Sequence, residues 1–172
     1  MTITEISKQK NKENRVNVSI DNEYYCSLDI LTVMNFKLKK GRELSAEEIS
    51  EIILFDQKEK ALAYAFDYAA SAFKTERQVK EKLCKKGYDK IVINFVLNKL
   101  KEYKYINDVA FAKQYTQTKK KGKGRKLIEY ELKLKGIDYE CNISDEEEFE
   151  NCMELLKKYM NNKVFDYNKC AR

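Results

Sequence analysis

The sequence predicts a mainly α-helical protein: tandem three-helix, helix-turn-helix-like repeats in an elongated array, behind a small N-terminal β-hairpin or three-stranded sheet. Three observations predict it. The stretch 74–88, KTERQVKEKLCKKGY, returns 49 residues later as 123–137, KGRKLIEYELKLKGI. Such internal repetition decides the architecture before any other signal. The composition is 43% hydrophobic and 36% charged, with no proline and five glycines. That charge needs much solvent-facing surface, which suits a row of small helical units better than one compact globule. Finally, apolar residues alternate with polar ones over 16–28, which is the strand period.

Val16, Val18 and Ile20 predict one strand, and Tyr24, Cys26 and Leu28 a second. Asp21-Asn22-Glu23 between them is a turn signal, because Asn tolerates positive φ. Ile3 and Ile6 predict a third strand, joined by the polar stretch 8–14. A short helix over 29–36 carries Leu31, Val33, Met34 and Phe36, and a loop with Gly41 follows. Ser45 and Glu48 have capping-box spacing. The helix they open carries Ile49, Ile52, Ile53 and Phe55. Its pattern runs on through Ala61, Leu62, Ala65, Ala69 and Phe73, with a break expected near Asp56 because one helix would be unusually long.

The repeat begins there. In each copy two apolar residues four apart, Val79 and Leu83 or Ile128 and Leu132, share one helix face. Gly87 and Gly136 follow, where a left-handed cap ends the helix. Thr75 with Gln78 is a second capping box. Asp89 caps a third helix, with Ile91, Val92, Phe95, Val96, Leu97 and Leu100 as its apolar face. Asn107 and Asp108 cap the next helix, with Phe111, Ala112 and Tyr115. The third helix of this second unit is expected to be short or lost, since the same offset gives Glu140, Cys141 and Ser144. Ser144 with Glu147 is a third capping box. It opens an acidic helix with Phe149, Met153, Leu156 and Met160, read as the start of a third unit. The expected divisions are 1–56, 57–105, 106–143 and a partial unit over 144–172.

Several chemistries are disfavoured. There is no histidine, which removes the usual Ser-His and Cys-His nucleophile pairs. Cys26, Cys84, Cys141, Cys152 and Cys170 include no Cys-x-x-Cys pair, which argues against zinc and for reduced thiols in a cytoplasm. Cys84 reads as a small, half-buried helix residue. No run of 18 apolar residues exists, and residues 1–10 lack a signal-peptide core. No catalytic residue, metal or cofactor is expected, nor any membrane association.

Net charge is +6, unevenly spread. Residues 57–137 hold 21 basic and 9 acidic side chains, whereas 138–172 hold 5 and 9. The repeated part is therefore the basic part, pointing to a polyanion or an acidic protein surface as partner. The strongest candidate is 119–126, KKKGKGRK, with Lys119, Lys120, Lys121, Lys123, Arg125 and Lys126 around two glycines. Glycines let backbone N–H groups approach an anion. The plainer reading is a solvated loop. Lys133 and Lys135 extend the cluster along the following helix. Arg77, Lys80, Lys85 and Lys86 are weaker candidates, since Glu76 and Glu81 are interleaved and a solvated face accounts for them. Tyr64, Tyr68, Tyr88, Tyr103, Tyr105, Tyr115 and Tyr130 invite base stacking, but at helical spacing they read as packing residues. Glu146-Glu147-Glu148 sit at a helix start, where the dipole favours them.

Residues 61–137 resemble the RecX family, bacterial regulators of the RecA recombinase. The carriers are Thr75-Glu76-Arg77-Gln78-Val79 through Lys86-Gly87-Tyr88, then Val96-Leu97-Asn98-Lys99-Leu100, then Tyr105-Ile106-Asn107-Asp108 with Phe111-Ala112. Lys121-Gly122 and the run 128–137 complete the set, and the hairpin ending Ile20-Asp21-Asn22-Glu23-Tyr24 resembles longer members. The resemblance implies a curved all-helical array that binds as a monomer in the groove of the RecA–DNA filament. It implies suppression of recombinase and ATPase activity, with effects on DNA repair, recombination and the SOS response. The excess of positive charge over 57–137 predicts, beside this, weak, salt-dependent contact with single- and double-stranded DNA. Two departures stand out: Lys123-Gly124 follows Gly122 where the family usually has proline after its Lys-Gly, and the third unit stops at Arg172. The alternative from another class is an autonomous helix-turn-helix DNA-binding module, although no dimerisation heptad is present.

Overall fold

The computed structural model describes residues 1–10 and 13–161. Three strands, β1 (Ile3–Lys8), β2 (Arg15–Ile20) and β3 (Glu23–Asp29), form an antiparallel sheet in that order. Asp21 and Asn22 both take positive φ, 50° and 69°, so the β2–β3 hairpin turns on these two residues and Glu23 already belongs to β3. Such a turn has the twist that joins paired strands. Ile3, Val16, Val18, Ile20 and Leu28 face one core, closed by Leu38, Leu44, Ile49 and Ile52 from the segments that follow.

Helix α1 (Ile30–Asn35) is capped by Asp29, whose carboxylate accepts from Leu31 N–H at 2.9 Å. Its inner face is not the expected one. Leu31 and Met34 are exposed, and Thr32 is buried in their place. The reason lies in α2 (Ala46–Ala70), where the buried Asp56 carboxylate accepts from the Thr32 hydroxyl at 3.1 Å. Asp56 also accepts from Asp29 N–H at 2.6 Å and from the Arg15 guanidinium at 3.2 Å. The break expected near Asp56 does not occur, and α2 is continuous over 25 residues. A carboxylate with three donors has no need of solvent, so it does not open the helix. The N-terminal half of α2 packs on the sheet through Ile49 and Ile52. Its C-terminal half packs on the first unit through the small stripe Ala61, Ala65 and Ala69. Both faces are needed, and the one rod ties the sheet to the repeats.

The first unit adds α3 (Glu76–Lys85) and α4 (Lys90–Glu102). The Thr75–Gln78 box is complete in both directions. Val79 and Leu83 are fully buried against Val92, Val96 and Leu100. On α4 the inner face holds Ile93, while Ile91 is 65% exposed. Asp89 occupies the N-cap position of α4 but makes no side-chain capping hydrogen bond. Cys84 lies on the outer face of α3 and is exposed, not half-buried.

The second unit consists of α5 (Asp108–Lys119) and α6 (Arg125–Leu134). Ile128 and Leu132 are fully buried. The third helix of this unit is absent, as its polar offset implied. An irregular segment instead places Ile137, Cys141 and Ile143 in the core beside Ala112, and Glu129 accepts from Cys141 N–H at 2.9 Å. Helix α7 (Asp145–Asn161) follows. Three separate apolar cores therefore succeed one another along the chain. Residue Cys170 and the end of the expected third unit lie outside the described residues. Among the described residues no helix is long and apolar enough to cross a membrane.

Candidate functional site

The basic stretch 119–126 joins α5 to α6. Lys119 ends α5, Lys120 is its C-cap, and Gly124 is the N-cap of α6. Gly124 has no side chain to cap the helix. Its place as an acceptor is taken by Glu148 of α7, whose Oε1 accepts from Arg125 N–H at 2.8 Å. A Cβ on Gly124 would come within 2.9 Å of that same oxygen. Three more contacts fix the arrangement. Lys120 Nζ donates to Glu147 Oε1 at 2.5 Å, and the Arg125 guanidinium lies 3.3 Å from Asp145 and donates to Ile143 O at 3.3 Å. The acidic first turn of α7 thus sits on the anion-seeking end of α6. The Ser144–Glu147 box is half-formed for this reason: Ser144 Oγ accepts from Glu147 N–H at 3.1 Å, while the Glu147 carboxylate turns to Lys120.

Beside the loop, Lys123 donates to Glu131, which also accepts from Tyr115 O–H at 2.8 Å. The Lys123 ammonium, with the Tyr115 hydroxyl, holds the Glu131 carboxyl below the usual carboxylate range. Burial, reinforced by Glu131, pushes the Tyr115 phenol up. Lys119 and Lys135 place their ammonium groups 5.9 and 5.6 Å from the Tyr115 ring centroid. Four of the expected basic residues, Lys119, Lys123, Lys135 and Arg77, therefore gather near one tyrosine–carboxylate pair. The cleft there has about 360 Å³, lined by Arg77, Gln78, Glu81, Tyr115, Glu131 and Lys135.

That cleft is the seam between the two units. The Thr75 hydroxyl, capping α3, donates to Lys135 O at the end of α6 at 3.0 Å. Asp108 does not cap its own helix. It reaches back to accept from Glu76 N–H at 3.0 Å, leaving Asn107 as the cap of α5. Gly136, at φ 84°, lies against Arg77, so that an added Cβ would come within 2.7 Å of Arg77 Cδ.

The other expected residues are dispersed. Lys80 and Lys85 line a neighbouring hollow on α3 with Cys84 and Leu97. Lys86 lies over the Tyr64 ring, 5.3 Å from its centroid, in a cleft facing the sheet. Lys121, Lys126 and Lys133 are exposed on the loop and the outer face of α6. Leu127, Tyr130 and Leu134 share that outer face and are also exposed. Tyr64, Tyr68, Tyr88 and Tyr115 are partly buried packing residues, as their spacing implied, whereas Tyr103, Tyr105 and Tyr130 are exposed. The sequence marks Glu147 as the capping-box partner of Ser144 and places Glu147 and Glu148 at the α7 dipole, with no local sign of their pairing with the loop or of the role of Glu131. The available signal was the sign reversal between two charge blocks, 119–126 and 145–148.

Residues 1–45 match the regulatory protein RecX N-terminal domain, 61–100 the first RecX three-helix domain, and 107–141 the second. The regulatory protein RecX of Clostridium tetani is 34% identical over 99% of this chain and 85% of its own length. The chain belongs to the RecX family. The regulatory protein RecX of Bacillus licheniformis is 42% identical over 80% of this chain, a match covering 53% of the relative. The matches span 52% to 65% of the first three Bacillus RecX relatives. A crystal structure of regulatory protein RecX superposes with a TM-score of 0.59 at 27% identity, over 90% of this chain and 73% of that one. The RecX match to the second three-helix domain ends at Cys141, within the irregular segment that here replaces a third helix.

Proposed function

We propose that this chain is a non-enzymatic regulator that binds the RecA–DNA filament through its two repeated units, 57–105 and 106–143, and restrains RecA ATPase and recombinase activity. The observation that carries the proposal is the surface of α6 in a chain of the RecX family. Leu127, Tyr130 and Leu134 form an exposed apolar stripe, with exposed Lys126 and Lys133 together along one side of it. A stripe of that composition suits a target with both a protein surface and phosphates, and a filament of protein on DNA offers both. A module reading bare DNA would instead turn polar base-reading side chains outward from the helix. On this reading the protein acts as a monomer, in the cytoplasm, and its direct affinity for DNA is weak and set by salt.

The structure determines which charges to test. Lys120, Lys123 and Arg125 are already engaged with carboxylates, so reversing them would change internal ion pairs as well as any external contact. The informative set is Lys121→Glu, Lys126→Glu and Lys133→Glu. Its equal-charge control is Lys37→Glu, Lys39→Glu and Lys40→Glu, exposed residues of the loop before α2. Binding to single-stranded oligonucleotide is measured across a salt series. Each lost phosphate contact lowers the slope of log affinity against log salt by about 0.7. The first set should flatten the slope by about 2, and the control should leave it unchanged. Equal slopes for both sets would overturn the assignment of this surface.

A further inference from the structure

We infer that the acidic first turn of α7 is an internal stand-in for the anionic ligand of the α6 end, an autoinhibitory contact that an incoming polyanion must displace. The inference rests on the reading of 119–126 as an anion-binding segment. Three carboxylates from one turn meet three donors from one loop. Glu148 accepts from Arg125 N–H at 2.8 Å, Glu147 from Lys120 Nζ at 2.5 Å, and Asp145 lies 3.3 Å from the Arg125 guanidinium. Glu148 takes the position a phosphate oxygen takes at a helix N-terminus, receiving a backbone N–H at the positive end of the dipole. Gly124 makes that approach possible, since a side chain there would strike the Glu148 carboxylate.

The contact is built to be reversible. Asp145 is 87% exposed, and the Glu147 and Arg125 side chains are 38% and 36% exposed, so water can replace either partner. Ion pairs of that exposure are each worth a small factor in an equilibrium constant. Among the described residues the ion pairs of helix α7 lie at this end, and Phe149, Met153, Leu155, Leu156 and Met160 remain exposed. Loss of three weak contacts therefore releases the turn without dismantling the core around Ile128 and Leu132. Two of the loop's cations, Lys120 and Arg125, are paired with carboxylates at rest, and binding of a polyanion exchanges internal carboxylates for external phosphates.

The test compares two full-chain variants of equal charge change. Asp145→Asn, Glu147→Gln and Glu148→Gln neutralise the docked turn. Glu146→Gln, Glu150→Gln and Glu154→Gln neutralise the same helix at positions without these contacts. Linear polyphosphate serves as the probe of the α6 end, and a RecA–single-stranded DNA filament as the probe of the proposed function. With three contacts each contributing a factor of about 2–3, the first variant should bind polyphosphate about tenfold more tightly than the second. Acylation of Lys120 by an amine reagent, followed by mass spectrometry, should accelerate in the first variant only. Glu148→Gln alone keeps an acceptor in place and supplies a milder variant should the triple lose helix content. Equal gains in both triples would overturn the inference, as would failure of every variant to bind polyphosphate. A selective gain on polyphosphate with no filament binding by any protein would uphold the internal contact and overturn the functional reading instead.

Discussion

Gly87 and Gly136 occupy the same place in the two repeats, and substituting each by alanine isolates the seam between the units. Both glycines end their helices in the left-handed region, with φ of 81° and 84°. Both make the same closing bonds, Gly87 N–H to Cys84 O at 2.9 Å and Gly136 N–H to Lys133 O at 3.0 Å. The backbone cost of alanine is thus shared, about 1–2 kcal/mol at each site. The surroundings differ. A Cβ at residue 87 would meet nothing within 4 Å, whereas at 136 it would lie 2.9 Å from Arg77 Cβ and 2.7 Å from Arg77 Cδ. Arg77 Cδ can swing away, but its Cβ is fixed to α3, so the units themselves must separate slightly. Overpacking of that kind costs about 1–3 kcal/mol more. Urea unfolding followed by circular dichroism should therefore find Gly136→Ala less stable than Gly87→Ala by about that difference. In an Arg77→Ala background the excess should shrink without vanishing, because alanine keeps the Cβ. Costs agreeing within about 0.5 kcal/mol, the usual additivity limit, would refute a close contact between the units at this seam.

Leu83→Ala and Leu132→Ala, both fully buried, should each cost about 2–5 kcal/mol. Hydrogen exchange should show the loss concentrated in the mutated unit, since repeat arrays pass stability mainly to neighbours. Asp56→Ala removes the carboxylate partner of Arg15 and the acceptor of Thr32 O–H and Asp29 N–H and should cost about 3–5 kcal/mol by urea unfolding, with exchange quickening at Asp29 N–H. Glu131 has a depressed carboxyl pKa in the folded protein, so its contribution is complete above the ordinary value near 4.3 and is lost as pH falls through the depressed one. Urea midpoints of the native protein and Glu131→Gln should differ most at neutral pH and converge in acid; a gap that widens on acidification would reverse the sign.

The repeat was legible because its signals are local. Val79, Leu83, Ile128 and Leu132 announce a buried face by a spacing of four, and all are fully buried. Gly87 and Gly136 announce the helix ends, and the polar offset at Glu140, Cys141 and Ser144 announces the missing helix. What could not be read depends on partners far along the chain. Helix length alone predicts a break near Asp56, because the donors that hold its carboxylate in an unbroken helix, Arg15, Asp29 and Thr32, lie 24 to 41 residues away. Thr32 gave no sign that it would be buried in place of Leu31 for the same reason. Glu147 and Glu148 were sufficiently accounted for by their own helix dipole, which hid their pairing with a loop more than 20 residues earlier. Lysine-rich composition identified the basic segment but not which of its charges are already spent within the fold.

The most direct test is the RecA ATPase on single-stranded DNA, titrated with the native chain and the two lysine-reversal triples. The account predicts saturable inhibition by the native protein and by Lys37→Glu/Lys39→Glu/Lys40→Glu. It predicts inhibition weakened by about tenfold or more in concentration for Lys121→Glu/Lys126→Glu/Lys133→Glu at moderate salt. An ATPase rate unaffected by saturating native protein would contradict it, as would equal inhibition by both triples.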